Sequence, residues 1–159
     1  MSYPSLDKHA DLILKAVAQE IAYEFELDYV GTEHILLAIL RHNQGIGAKV
    51  LHHFQINELR ARKQVDEILK KDMEDTWVFG RLPGSPHYRN VMAIAIDEAT
   101  QLESNTIASE HLLLALLRET GSTAARVLQA MGVTLPNARA ETLRQIAQSH
   151  PRGESRASD

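Results

Sequence analysis

Cysteine is missing from all 159 residues, which excludes disulfides, thiolate chemistry and cysteine-ligated zinc and fits a reducing compartment. Aromatic residues reach only 5% and tryptophan occurs once, while 44% of the chain is apolar and 24% charged. That balance suits Ala- and Leu-rich globular helices better than disorder or a β-sandwich, so the fold class expected is all-α. An excess of positive charge is also missing. The net charge of −4 and a pI near 6.1 supply no broad positive field for a phosphate backbone, and nucleic acid is not an expected partner. No apolar run approaches the roughly 20 residues of a membrane span. The opening "MSYPSLDKHADLIL" places Asp7, Lys8 and Asp11 where a signal peptide needs its apolar stretch. The reading is a soluble, cytoplasmic chain with no membrane partner.

Catalytic signatures are equally scarce. There is no G-x-x-x-x-G-K-[ST], so no phosphate-cradling loop and no ATP hydrolysis can be assigned. The eight histidines never form H-E-x-x-H, and the adjacent His52 and His53 would point about 100° apart on a helix, so no metal or other cofactor is expected. Glu33 and Glu110 each precede a histidine, but consecutive helical residues do not face each other as acid and base, and no nucleophile elbow is present. The chain is not expected to be an enzyme.

What the sequence does contain is a repeat. "GTEHILLAILR" (31–41) returns as "ASEHLLLALLR" (108–118), an offset of 77 residues from His34 to His111. The same offset carries Ala16, Ala18 and Ala22 onto Ala93, Ala95 and Ala99, and "AKVL" (48–51) onto "ARVL" (125–128), without a gap. The chain reads as two copies of one four-helix unit, 1–71 and 87–148, joined by a linker over 72–86 and followed by a disordered polar tail over 149–159. The linker "DMEDTWVFGRLPGSP" breaks any helix with its two glycines and two prolines. Its Trp77 and Phe79 are read as packing into the seam between the halves or, as the alternative, as an exposed anchor.

In the first helix of each copy, Leu14, Val17, Ala18, Ile21, Ala22 and Phe25 share one apolar face, as do Val91, Ile94, Ala95, Ala99 and Leu102, with Glu98 where Ile21 stood. The second helix is apolar nearly all round, Ile35 to Leu40 and Leu112 to Leu117, and should form the buried centre of each unit. Thr32 and Ser109 are read as its N-caps. A short third helix is expected over about 46–54 and 122–131, the latter stopped by Gly132. The fourth follows caps at Asn57 and Thr134 and runs to about Lys71 or Gln148. Arg60, Arg62, Lys63, Lys70 and Lys71 make it basic in the first copy; a solvated face is the default, docking of an acidic protein the alternative.

Glu33 and Glu110 fall in the first turn of the central helices, where a carboxylate is stabilised by the positive helix end and an anion can also be held. By itself this supports two readings, a structural first-turn acid or a binding group.

The blocks "AQEIAYEFELDYVGTEHILLAILR", "GAKVL", "SPHYRNVMAIAIDEATQL", "ASEHLLLALLR" and "AARVLQAMGVTL" together resemble the double Clp-N repeat domain of Clp-type ATP-dependent unfoldases, of the ClpC kind above all, over residues 5 to 148. The resemblance implies eight helices in pseudo-twofold halves, a monomer in isolation, and binding of adaptor or substrate proteins for a Clp ATPase. A stand-alone regulator that sequesters such ligands is the alternative. It further implies that the Glu of the block, here Glu33 and Glu110, recognises the guanidinium of phosphoarginine, with Thr32 and Ser109 beside them. For the phosphate side, the start of the first helix maps onto Lys8, with Asp7 before it, in one copy and onto Ser85 and Arg89 in the other. The Ser85 and Arg89 copy looks the more intact, and with it Glu110.

Overall fold

A computed structural model of the chain describes residues 4–27, 29–75 and 86–149. The expectations for Trp77, Phe79, Ser85 and the tail beyond Ser149 lie outside the described residues.

The two copies fold as expected into four helices each. In the first copy, a leading helix is built from α1 (Lys8–Leu12), a π-helical segment (Ile13–Val17) and α2 (Ala18–Glu24), and is followed by α3 (Thr32–His42), α4 (Ile46–His53) and α5 (Glu58–Asp75). The second copy repeats them as α6 (Pro86–Gln101), α7 (Ser109–Arg118), α8 (Thr123–Ala130) and α9 (Leu135–Ser149). Two short strands, β1 (Ser5–Leu6) and β2 (Thr106–Ile107), pair in parallel, with Ser5 opposite Thr106 and Leu6 opposite Ile107. This pair, too short to leave an alternating pattern in the sequence, ties the entry of the first copy to the second. Among the described residues, no helix is long and apolar enough to cross a membrane.

The apolar strips form the centre. Ile35 to Ile39 and Leu112 to Leu116 have no accessible surface, and they join Ile13, Ile21, Leu51, Val91 and Leu128 in one continuous core. At ~1.5–3 kcal/mol for each large side chain removed from water, these two strips dominate the stabilisation.

The third helices are exchanged between the copies. α4 packs on α7 and α9, and α8 packs on α3 and α5. Each copy therefore closes its core with a helix that belongs to the other. Asn57 and Thr134 cap α5 and α9 as read from the sequence, accepting the N–H groups of Arg60 at 2.8 Å and Asn137 at 3.3 Å. Gly132 takes the expected left-handed conformation after α8, at φ +87°. The fourth helix of the first copy continues through Asp75, beyond the expected end at Lys71, because nothing before the glycines and prolines of the linker interrupts it.

The uniform offset fails at one place. Helices α3, α4 and α5 start 77 residues before α7, α8 and α9, but α1 starts 78 before α6. The π-helical segment accommodates the extra residue, since its wider turns take one more residue over the same rise. The start of α6 at Pro86 thus corresponds to the start of α1 at Lys8.

Candidate functional site

Each central helix begins with the same four residue roles: a bend residue, a hydroxyl, a glutamate and a histidine. The sequence reading of Thr32 and Ser109 as N-caps of their own helices is corrected by the structure. The N-cap positions are Gly31 and Ala108, both extended. The hydroxyls point outward into the other copy. Ser109 Oγ accepts the N–H of Gly47 at 2.9 Å, and Thr32 Oγ1 accepts that of Ala124 at 3.2 Å, both buried bonds in the first turns of the exchanged helices α4 and α8. Their own helices are capped by the histidines instead: the N–H groups of Gly31 and Ala108 donate to Nδ1 of His34 and His111, each at 2.8 Å.

Burial and this bond both hold the histidines neutral. His34 is driven down to about 4, first by desolvation and then by the positive charge of Arg62. His111 is lowered as well, by desolvation. With Nδ1 accepting, the neutral ring carries its proton on Nε2.

Glu33 and Glu110 are more enclosed than a rim position suggests, 5% and 8% exposed. Their side chains take different paths for a local reason. A Cβ placed on Gly31 would lie 2.7 Å from Glu33 Oε1, so that carboxylate folds back over the glycine. Ala108 occupies the equivalent position in the second copy and carries a methyl group where that carboxylate would lie. Glu110 accepts its own backbone N–H instead. Desolvation, together with the negative charge of Asp7, raises its carboxyl above the ordinary 4.5.

Asp7 adds a charge near Glu110 that the sequence reading did not place there. Arg89 shares a repeat with Glu110, yet only a short connection separates the end of α6 at Gln101 from the start of α7 at Ser109. Arg89 lies twelve residues before the α6 end that meets Glu110, about 18 Å away at 1.5 Å per residue. It is exposed. What meets the start of α7 is the start of α1: the Asp7 N–H donates to the Ile107 carbonyl at 2.9 Å, and Asp7 Oδ1 caps α1 through the Ala10 N–H at 2.8 Å. Lys8 follows, exposed. His42, at the end of α3, also feels Asp7, and its Nε2 lies 2.8 Å from Nδ1 of His9.

Two charged networks escaped the sequence reading. Glu98, buried where the first copy has Ile21, is held by Arg118 at 2.9 Å and Arg139 at 2.6 Å. Arg41 bridges Glu24 and Glu58, and Arg62 adds to Glu24 at 2.9 Å while lying 4.7 Å over the Phe25 ring. Part of the basic face of α5 is therefore engaged within the molecule. Among the described residues, no group of three His, Asp or Glu side chains could hold a metal ion.

An all-helical double repeat with an exchanged third helix and a Glu-His block at each central helix defines the class. The chain belongs to the Clp repeat N-terminal domain family, whose model matches residues 6–131 and 84–158. It is 40% identical over 133 residues to the chloroplastic chaperone protein ClpC1 of Oryza sativa, covering 84% of this chain and 14% of that protein. It is 34% identical over 146 residues to the Clp protease ATP-binding subunit ClpC of Staphylococcus saprophyticus, covering 92% of this chain and 17% of that one. The fold matches the crystallised N-terminal domain of the chaperone ClpD from Arabidopsis thaliana with a TM-score of 0.68 at 22% identity, over 92% of this chain and 97% of that domain. The chain thus spans a small part of the unfoldases that it matches.

Proposed function

We propose that the chain is a non-catalytic recognition module of a cytoplasmic Clp-type ATP-dependent proteolysis system, receiving adaptor proteins or tagged substrates for a Clp ATPase. The observation that carries this reading is the duplicated Glu33 and Glu110, each near-buried at the start of a rigid central helix. A carboxylate enclosed at a helix start is positioned to accept paired N–H bonds from a guanidinium arriving on a partner.

Phosphoarginine is the tagged group that we assign to the Glu33 end. Helix α6 also touches α3, and in the sequence the residue before it is the uncharged Ser85, where Asp7 precedes α1. The test has two arms. The chain used as bait should retain a Clp ATPase or its adaptor, and calorimetry with phosphoarginine should give binding that Glu33→Gln removes. Absence of any Clp component among the captured proteins rejects the module; binding unchanged in Glu33→Gln rejects the site.

A further inference from the structure

Each copy ties the start of its first helix to the end of its central helix through one side-chain pair, and the two pairs differ in kind. The offsets of 78 residues for the first helices and 77 for the central ones carry His9 and His42 onto His87 and Glu119. In the second copy, His87 Nδ1 lies 2.6 Å from Glu119 Oε2, which also accepts from Asn90 Nδ2 at 2.9 Å. In the first copy, His9 Nδ1 lies 2.8 Å from His42 Nε2, both rings half-buried. A histidine beside a carboxylate becomes an ion pair when the ring takes a proton. Two histidines hold together only while one of the facing nitrogens is free to accept. Once both rings are cations, both nitrogens carry hydrogen and like charges meet.

The charges around the His9–His42 pair are largely committed elsewhere. Asp7 favours the charged form of His42, but its Oδ1 already accepts the Ala10 N–H. On the leading helix, Lys8 is exposed and Asp11 pairs with Lys15 at 2.8 Å. On α3, Arg41 is held by Glu24 and Glu58, and Arg62 of α5 is bound to Glu24. α7 carries Glu110 and His111, which both register the charge of Asp7. On the other helices against α3, Lys49 of α4 is exposed, Glu98 of α6 is bound to Arg118 and Arg139, and α8 carries Arg126. The balance holds His42 below its ordinary 6.5, through desolvation first and the charge of His9 second. Helix α1 is also the weaker mount: it is five residues long with Ala10 its one buried side chain, whereas α6 is a continuous helix of 16 residues.

We propose that the His9–His42 pair is an acid-sensitive latch, which in mildly acidic solution releases α1 and the β1–β2 strand pair while the His87–Glu119 junction keeps the start of α6 docked. The proposal is independent of the recognition reading. Released, His42 takes a proton near 6.5; docked, it does so only at lower pH, so docking is strongest above 6.5 and weakens as pH falls below it. Glu119 stays ionised over that range, because the bonds from Asn90 and His87 outweigh its desolvation and hold its carboxyl below 4.5.

The experiment is amide hydrogen exchange by NMR on the full chain between about pH 7.5 and about pH 5, expressed as protection factors so that the intrinsic pH dependence of exchange drops out. The Asp7 and Asp11 N–H groups, which donate to the Ile107 and Asp7 carbonyls at 2.9 Å, should lose protection about tenfold or more on acidification. The Asn90 amide of α6 and the Leu114 amide of the core should keep theirs. His42→Glu copies the second junction into the first and should abolish the loss; Glu119→His copies the first into the second and should transfer the loss to Asn90. Constant protection of Asp7 and Asp11 in the wild type overturns the proposal, as does an equal loss at Leu114, which is global unfolding, or a loss that His42→Glu leaves in place. Should His42→Glu fail to fold, Glu119→His decides, and Asn90 protection that stays constant in that variant rejects the latch.

Discussion

At the scale of single residues, the two first-turn blocks hold ionisable groups in states that water would not choose. Glu110 titrates above 4.5 in the fold and near it when unfolded, so between those values the folded chain holds more protons. Its effect on stability is therefore most favourable at low pH and is lost as pH rises through the folded value. Glu110→Gln, which cannot ionise, is expected to raise the melting temperature at pH 7, with the advantage vanishing below about pH 4.5; thermal unfolding at stepped pH measures it. The histidines run the other way. His34 moves from 6.5 to about 4, so the unfolded chain takes up protons first as pH falls. Stability present above 6.5 should be lost progressively between 6.5 and about 4, by about 3 kcal/mol for His34, which has no accessible surface. Denaturant titrations in the Glu110→Gln background isolate this loss, and a flat profile there contradicts the assignment of Nδ1 as acceptor. The sequence placed both glutamates correctly in the first turn, yet it could not show their burial or which end meets which. A repeat reveals that two segments are alike, and Asp7 became the neighbour of Glu110 only through a strand pair two residues long.

At the scale of elements, Asn57, Thr134 and Gly132 were legible because their bonds are local: a capping side chain reaches the turn beside it and a left-handed glycine closes the helix before it. Thr32 and Ser109 carry the same local signature, but their partners lie 92 and 62 residues away, which no window of sequence displays. The π-helical residue was hidden for a similar reason, since the 77-residue offset holds from Ala16 onward and before it the 78-residue offset matches only His9 with His87. The two cross-bonds differ in consequence. α8 also has Ser122, whose Oγ caps the Ala125 N–H at 3.1 Å, whereas α4 begins after Gly45, which has no side chain to offer. Ser109→Ala would strand the buried Gly47 N–H. It should cost ~1–2 kcal/mol by chemical denaturation, and Thr32→Ala should cost less. Equal costs would mean that the hydroxyls are not the principal caps of the exchanged helices.

At the scale of the whole molecule, the composition and the two leucine-rich strips specified an all-helical duplicate, and the core formed as the strips required. What they could not specify was the exchange of α4 and α8, because both helices are amphipathic enough to cover either centre. The exchange makes the halves interdependent. A fragment ending at Asp75 retains α3 without α8 and exposes the apolar faces of α3 and α5, so it should show no cooperative thermal transition by circular dichroism. The same fragment mixed with residues 76–159 should recover a cooperative transition, because the missing helix is then supplied in trans.

A polypeptide encoding a single unit would have had to borrow its closing helix from a twin. The two halves of this chain thus pack as two subunits of a symmetric dimer would if they exchanged a segment, with the difference that one covalent connection joins them.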